Sequence, residues 1–134
     1  MSQENVELVR RLVAALNDAD VDAMVGDFYS HEAEFVPAMQ AALEGTVYRG
    51  TDEIRGYYEE IYSVWDGLRV DLDEATGAGE AVVATGFVTL RGKASGVELV
   101  RPWTFVFEIT KGKVRRQRNF IDHGEALKAV GLEE

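Results

Sequence analysis

The chain has 134 residues, which is enough for one domain with a buried core that needs neither disulfides nor a metal. It contains no cysteine and two histidines, so thiol catalysis and cysteine-based zinc sites are excluded and a histidine-rich metal site is disfavoured. The formal net charge of −10 disfavours a nucleic-acid partner, because that binding normally rests on a basic surface. No stretch has the length of a membrane span or the pattern of a signal peptide. We therefore expect a cytoplasmic protein with no membrane partner, cofactor or metal.

The first segment of the chain has the periodicity of a helix. Apolar residues at three- and four-residue spacing predict an amphipathic helix over residues 3–17. Asp20 is placed to cap a short second helix whose apolar positions continue to Phe28. Two helices joined so closely are expected to pack as one unit.

The next segment contains a short strand and an aromatic helix. An edge strand is predicted over residues 33–39, where Pro37 would break a helix, and residues 40–50 are expected to form a loop. Thr51 is a good N-cap for a third helix, which the Asp-Gly pair at residues 66–67 ends. The apolar stripe of this helix comprises Ile54, Tyr57, Tyr58, Ile61, Tyr62 and Trp65.

From residue 68 onward the apolar period changes from helical spacing to alternation. Strands are predicted over residues 68–73, 81–90, 97–109 and 114–122, with glycine-containing turns at 76–79, 91–96 and 110–113. Asp122 is expected to cap a final short helix that stops near Gly131. This order predicts one α+β domain over residues 1–134, in which a curved antiparallel sheet wraps over three N-terminal helices as a cone, with a pocket at the open end and a short C-terminal helix.

The strand over residues 97–109 has two unequal faces. Alternation places the more apolar side chains on one side of the sheet, and these are Leu99, Arg101, Trp103, Phe105, Phe107 and Ile109. Periodicity does not determine which side of the last strand faces the same way.

Several short motifs, in this order and spacing, carry a resemblance to a known family. They are Val13-Ala-Ala-Leu-Asn17, Asp20-Val-Asp22, Phe28-Tyr29, Glu34-Phe-Val-Pro37, Tyr48-Arg-Gly50, Val64-Trp-Asp66, Gly112-Lys-Val114 and Asn119-Phe-Ile-Asp122. Together they resemble the SnoaL-like branch of the nuclear-transport-factor-two-like superfamily, which includes ketosteroid isomerase, limonene-epoxide hydrolase, scytalone dehydratase and polyketide cyclases. The resemblance covers essentially the whole chain and implies the cone fold, which hosts many unrelated functions.

The resemblance also implies catalytic positions, and here these hold other residues. Ketosteroid isomerase has a carboxylate base before the proline of its first strand and a tyrosine in its first helix, and the matching residues are Val36 and Leu12. Its protonated aspartate on the penultimate strand falls between Trp103 and Phe105, where there is no acid. The histidine and aspartate of the polyketide cyclases match Phe105 and Asn119, neither of which titrates near neutrality.

What remains is a set of candidate ligand-binding residues. Asn119 with Gln117 could hold a water or orient a carbonyl oxygen, and Arg101 must either pair with an anion or reach water. The aromatic residues could line the pocket or form plain core. The candidate ligand-binding set joins two groups. The resemblance implies Arg101, Trp103, Phe105, Gln117 and Asn119, and the aromatic residues add Tyr29, Tyr57, Tyr62 and Trp65.

Two functions stay open from sequence. One is a small-molecule-binding domain with a mostly hydrophobic pocket for a hydrophobic, carboxylate- or carbonyl-bearing ligand. The other is a cofactor-independent isomerase, cyclase or dehydratase that acts on a hydrophobic carbonyl or cyclic substrate. The opposite sheet face, with Arg116 and Arg118 beside Val100 and Val106, is predicted to form a homodimer interface.

Overall fold

A six-stranded sheet forms one layer of the protein and helices cover one of its faces. The computed structural model describes residues 2–37, 46–121 and 124. The strands are β1 (Tyr29–Val36), β2 (Tyr48–Arg49), β3 (Trp65–Ala78), β4 (Ala81–Gly92), β5 (Glu98–Thr110) and β6 (Lys113–Phe120). The helices are α1 (Ser2–Asn17), α2 (Val21–Ala23), which continues into a π-helical turn at Met24–Phe28, and α3 (Gly50–Val64). The predicted α+β cone with three helices is confirmed.

Helix α1 forms where its apolar stripe predicts it. The stripe is buried against the sheet, and its buried members are Leu8, Val9, Leu12, Val13 and Leu16. At the end of the helix, Asn17 is joined to the edge strand β3: its Nδ2 donates to the carbonyl oxygen of Val70 at 2.9 Å, and the amide of Val70 donates to its Oδ1 at 2.7 Å. One side-chain amide therefore satisfies both backbone groups of an edge-strand residue.

Helix α2 begins at the predicted cap. The Oδ1 atom of Asp20 accepts a hydrogen bond from the amide of Ala23 at 3.1 Å, which confirms Asp20 as the N-cap. The predicted end at Phe28 is also the last residue of the π-helical turn. None of the described helices is long and apolar enough to cross a membrane.

Strand β1 differs from the prediction in its start and in its neighbours. It begins at Tyr29 rather than at residue 33, and it lies inside the sheet between β2 and β6, so its prediction as an edge strand was wrong. It pairs with β6 in the parallel direction, which makes the sheet mixed. The short β2 lies in the predicted loop over residues 40–50, of which residues 40–45 fall outside the described part of the chain. Parallel pairing joins residues far apart in sequence, and local periodicity carries no signal for it.

Helix α3 begins and ends slightly before its predicted limits. Thr51 is not its cap: the N-cap is Arg49, which makes no side-chain capping bond, and Glu53 Oε1 accepts from the Arg49 amide at 2.8 Å instead. The helix ends at Val64, so Trp65 is the first residue of β3 and not the last of the helical stripe. The acidic side chain in the first turn therefore accepts from the backbone amide of the N-cap residue itself.

Strands β3 to β6 form the predicted antiparallel meander. The hairpin turn between β5 and β6 is confirmed, with Lys111 and Gly112 at φ angles of 54° and 74°. The turn predicted at 76–79 lies at 79–80, because residues 76–78 still pair with β4. The final helix predicted from Asp122 to Gly131 lies outside the described residues.

Gly86 permits a close approach between two strands. It lies in β4 opposite a β-bulge of β3, and a Cβ atom added to it would be 2.1 Å from the carbonyl oxygen of Asp71 and 2.9 Å from the Cα of Leu72. Both neighbours are backbone atoms, so neither can move without shifting β3. The curvature of the sheet at this bulge therefore requires glycine.

We predict that Gly86→Ala destabilises the protein by about 1–3 kcal/mol or more, because the added methyl group displaces the backbone of β3. The matched control is Gly67→Ala, also inside a strand, whose new Cβ would meet Arg91 Cβ at an ordinary 3.7 Å. The free energy of unfolding is measured by urea denaturation of both variants. Equal losses in the two variants would contradict the requirement at Gly86.

Candidate functional site

The inner face of β5 passes from the core to the open end of the cone. Phe107 and Phe105 are buried, Trp103 is half-buried, and Arg101 and Leu99 are exposed. Successive members of this row are two residues apart, and each lies farther from the helices than the one before. The row therefore runs from the core to solvent at the open end.

The register between β5 and β6 decides which side of the last strand faces inward. Phe105 pairs with Asn119 and Phe107 with Gln117, and paired residues share a face. Gln117 is only 2% exposed, although it is polar. Gln117 and Asn119 therefore belong to the inner face, as the resemblance implied.

Four polar side chains on this face are joined by hydrogen bonds, and we call them the polar chain. Tyr58 of α3 lies 3.1 Å from Tyr29 of β1, hydroxyl to hydroxyl, and Tyr29 donates a short hydrogen bond to Oε1 of Gln117. Gln117 Nε2 donates to Oδ1 of Asn119 at 3.0 Å. The polar chain thus runs from the buried core to the half-buried Asn119.

The tyrosines around this core are proton donors and not bases. Burial raises the pKa of Tyr29 and of Tyr58 well above the ordinary value, and burial raises the pKa of Tyr57 and of Tyr62 to about 12. All four hydroxyls are therefore neutral at pH 7. They can donate hydrogen bonds, but they cannot take a proton from a substrate.

No carboxylate or imidazole lies on the inner face of β3 to β6 within the part of the chain that the structure describes. By register, the inner positions of the two central strands are Val82, Ala84, Gly86, Val88, Leu90, Leu99, Arg101, Trp103, Phe105 and Phe107. The four matched catalytic positions do not supply one either: Leu12 and Phe105 are buried core, and Val36 and Asn119 are partly buried. The described polar side chains at inner positions of β5 and β6 include Arg101, Gln117 and Asn119, which can donate hydrogen bonds. No cluster of three histidine, aspartate or glutamate side chains suited to a metal occurs among these residues.

The closed end of the cone is filled by side chains. The cavity there measures about 10 Å³, which is room for about one water molecule. It is enclosed by Leu12, Val13, Leu16, Tyr29, Tyr58, Val70, Phe105, Phe107 and Gln117. Larger hollows formed by described residues lie elsewhere: a groove of about 470 Å³ on the outer sheet face, one of about 610 Å³ between the start of α1 and the hairpin tips, and one of about 370 Å³ beside Glu108. A ligand on the inner face must therefore lie toward the open end.

The structure separates the predicted ligand-binding residues into two groups. Tyr29, Gln117, Asn119, Phe105 and Trp103 lie together along β1, β5 and β6.

The remaining four lie apart from that group. Tyr57 packs edge-on against Phe35, with ring centroids 4.8 Å apart, and the hydroxyl of Tyr62 donates to the carbonyl of Leu16 at 2.6 Å. Trp65 lies at the start of β3, and Arg101 lies at the open end, where its Nη1 donates to the carbonyl of Val100 at 3.0 Å. Sequence analysis missed the role of Tyr58 in the polar chain, since a helical stripe does not show which hydroxyl meets which partner.

The outer face of the sheet carries a group of charged side chains, Glu108, Arg115, Arg116 and Arg118, which we call the arginine cluster. Oxygens of Glu108 lie 2.7 Å from Arg115, 3.2 Å from Arg118 and 3.8 Å from Arg116. Burial lowers the pKa of Arg118 below its ordinary value. Glu108 thus contacts three guanidinium groups, and Glu34 also lies 3.9 Å from Arg116, so the arginines outnumber these two carboxylates.

Comparison with known proteins identifies the fold and the family. A model of the SnoaL-like domain matches residues 9–117, and no curated protein matches the sequence. An NTF2-like protein of unknown function from Burkholderia pseudomallei superposes with a TM-score of 0.78 at 17% identity, over 98% of this chain and 99% of that one.

Two further solved structures share the fold. A ketosteroid isomerase-like protein from Catenulispora acidiphila, in complex with trimethylamine, gives a TM-score of 0.76 at 17% identity over 94% of this chain and 93% of that one. TerC, co-crystallised with polyporic acid, gives 0.76 at 18% identity over 95% and 98%. The confirmed cone and the match over most of the sequence agree, and the chain belongs to the SnoaL-like domain family.

Proposed function

We propose that this protein binds a small hydrophobic ligand, bearing a carbonyl or carboxylate oxygen, at the open end of the cone. The observation that carries the proposal is the composition of the inner face. Its exposed end offers an aromatic surface at Trp103 and hydrogen-bond donors at Asn119 and Arg101, with no described carboxylate or imidazole beside them. Such a face suits binding of an acceptor-bearing apolar molecule.

Arg101 is the cation of this surface. It is exposed, and within the described ranges it forms no ion pair; its Nη1 donates to the backbone carbonyl of Val100. A guanidinium group on an otherwise apolar row can bind a carboxylate through two parallel hydrogen bonds. This supports a ligand whose acidic end lies outermost.

The solved relatives support binding of small molecules in this fold. One was determined with trimethylamine and another with polyporic acid. The two ligands differ in charge and size, so the fold alone does not determine which ligand is bound. The residues of the inner face must determine it.

The alternative is a cofactor-independent isomerase, cyclase or dehydratase acting on a hydrophobic carbonyl or cyclic substrate. Each of those reactions needs a group that takes up a proton near neutral pH. On the described inner face the titrating groups are tyrosines, and their raised pKa values keep them protonated. This disfavours turnover relative to binding.

We predict that hydrophobic aromatic or polyketide-like carboxylates raise the melting temperature of the purified protein, since a ligand at about 100 times its Kd adds roughly 2.7 kcal/mol of stability. Arg101→Leu should weaken binding about tenfold by removing the charge-assisted hydrogen bonds. Arg91→Leu, which removes another exposed arginine, one that pairs with Glu98 at 3.2 Å, is the control.

Thermal shift and calorimetry measure binding, and mass spectrometry of the bound compound measures conversion. Recovery of unchanged ligand supports binding without turnover. A complete lack of shift across steroid, polyketide and aromatic acids would contradict the pocket ligand, and a converted product would favour the enzymatic alternative.

We further propose that the outer sheet face forms a homodimer. Its centre is apolar: Val83 and Val106 are buried with Phe120 packed on them, and Phe87 and Ile121 remain 43% and 53% exposed. A monomer seldom leaves such large side chains clustered around a groove of about 470 Å³.

Charge supports a second copy of this chain as the partner. The arginine cluster lies on the β6 side of the apolar centre, and Asp73 and Glu74 line the groove on the β3 side. A two-fold axis that lies between two facing sheets and runs along the strands places the β6 side of one copy over the β3 side of the other. Each positive edge then faces an acidic one.

We predict that light scattering gives twice the monomer mass and that Phe87→Glu gives the monomer mass, because a buried charge without a partner opposes the contact. Val64→Glu, at a residue that is 56% exposed on α3, should leave the mass unchanged. Added salt should weaken the dimer by screening the facing charges. A monomer mass for the unaltered protein at all concentrations would refute the interface.

A further inference from the structure

The polar chain has one direction of donation. Tyr29 carries a single hydroxyl proton and donates it to Oε1 of Gln117, so the hydrogen bond between the two tyrosines must take its proton from Tyr58. Gln117 then donates through Nε2 to Oδ1 of Asn119. Tyr29 and Gln117 therefore each accept a hydrogen bond from the core side and donate one toward the open end, and all the hydrogen bonds of the polar chain point the same way.

The reverse direction is disfavoured by burial. If Gln117 were turned over, its Nε2 would donate to Tyr29, Tyr29 to Tyr58, and the proton of Tyr58 would lack an acceptor among the residues that the structure describes. Tyr58 is 3% exposed, so bulk water does not reach it. The observed direction gives the hydroxyl protons of Tyr58 and Tyr29 described acceptors, whereas the reverse direction would leave the proton of Tyr58 to the cavity of about 10 Å³ beside it.

The end of the polar chain is the amide nitrogen of Asn119. Its Oδ1 is occupied by Gln117, and within the described ranges no acceptor binds its Nδ2. Asn119 pairs with Phe105 and is diagonal to Trp103, so it lies where the buried row becomes accessible. Because Oδ1 faces Gln117, Nδ2 is on the other side of the amide, at a strand position next to that of Trp103.

We propose that Asn119 Nδ2 binds an acceptor oxygen of the ligand, and that Tyr58, Tyr29 and Gln117 are positioning residues that hold this amide in its donating orientation. The inference rests on the proposed function and narrows it: the ligand has a carbonyl or enolate oxygen at its inner end. Arg101 lies four residues from Phe105 on β5, about 13 Å along the strand. If the Arg101 side chain turns from the carbonyl of Val100 toward Trp103, it shortens this span by its own length, and an aromatic keto acid lying against Trp103 then reaches both donors.

A pair of matched probes tests this orientation. Para-benzoylbenzoate has a ketone between its rings, and para-benzylbenzoate has a methylene there. We expect the unaltered protein to bind the keto acid about fivefold more tightly, since the methylene probe leaves Nδ2 without its acceptor. The ketone stretching frequency should fall on binding, because the carbonyl accepts a hydrogen bond.

Three variants separate the roles. Asn119→Asp exchanges the donor for an acceptor of the same shape and should abolish both the preference and the frequency shift. Tyr29→Phe removes one hydroxyl, frees the amide of Gln117 to turn, and should reduce both. Arg101→Leu should weaken the two probes equally and leave their ratio unchanged, since it acts on the shared carboxylate.

The outcomes distinguish this inference from the proposed function. Equal affinity for the two probes, or a preference that persists in Asn119→Asp, would overturn the role of Asn119 while the binding site stands. A preference that Tyr29→Phe leaves intact, in a variant whose circular dichroism is unchanged, would overturn the positioning role. Failure of both probes to bind would refute the proposed function and this inference together.

Discussion

The hydroxyl groups of Tyr29 and Tyr58 lie in the hydrophobic core, and neighbouring groups must supply their hydrogen-bond partners. A buried hydroxyl without a hydrogen bond costs roughly 1–3 kcal/mol. Their partners come from three separate parts of the chain: the start of β1, the middle of α3 and the middle of β6. Only the arrangement in which α3 packs over the β1–β6 pair brings the three groups within bonding distance. The polar chain therefore selects one packing of helix on sheet, in a core whose other members are interchangeable aliphatic and aromatic groups.

The same constraint shapes the function that we propose. Because core side chains, among them Tyr29, Tyr58 and Gln117, leave a cavity of only about 10 Å³ at the closed end, we propose the ligand site at the open end. Burial also raises the pKa of the tyrosines, so the groups that give the core its specificity remain neutral donors. In the function that we propose, this face binds acceptor oxygens through neutral donors, and the described inner positions of β3 to β6 carry no carboxylate or imidazole beside them.

Local pattern was sufficient for the elements and for part of the site. The stripe of α1, the cap at Asp20 and the turn at Lys111–Gly112 depend on neighbours in sequence, and each was predicted. The family resemblance placed Gln117 and Asn119 on the inner face, which the register confirms.

The errors arose where distant segments meet. The parallel pairing of β1 with β6 joins residues more than seventy positions apart, such as Glu34 with Arg116, and no period within either strand encodes it. The end of α3 was predicted late because Trp65 fits a helical stripe as well as a strand. The hydrogen bond from Tyr29 to Gln117 spans 88 positions, so the site's organising contact was invisible in sequence.

The most direct test of this account is an alkaline titration followed by tyrosinate absorbance, with circular dichroism recorded on the same samples. The folded protein retains its tyrosine protons above the ordinary pKa of 10.0. The contribution of these tyrosines to the free energy of unfolding should therefore be fully present below pH 10.0 and should fall as the pH rises toward about 12. We predict that the buried tyrosines ionise only as the protein unfolds, in one cooperative step. Ionisation of Tyr29 and Tyr58 near pH 10 in a protein that remains folded would contradict the buried polar chain on which the fold and the proposed site depend.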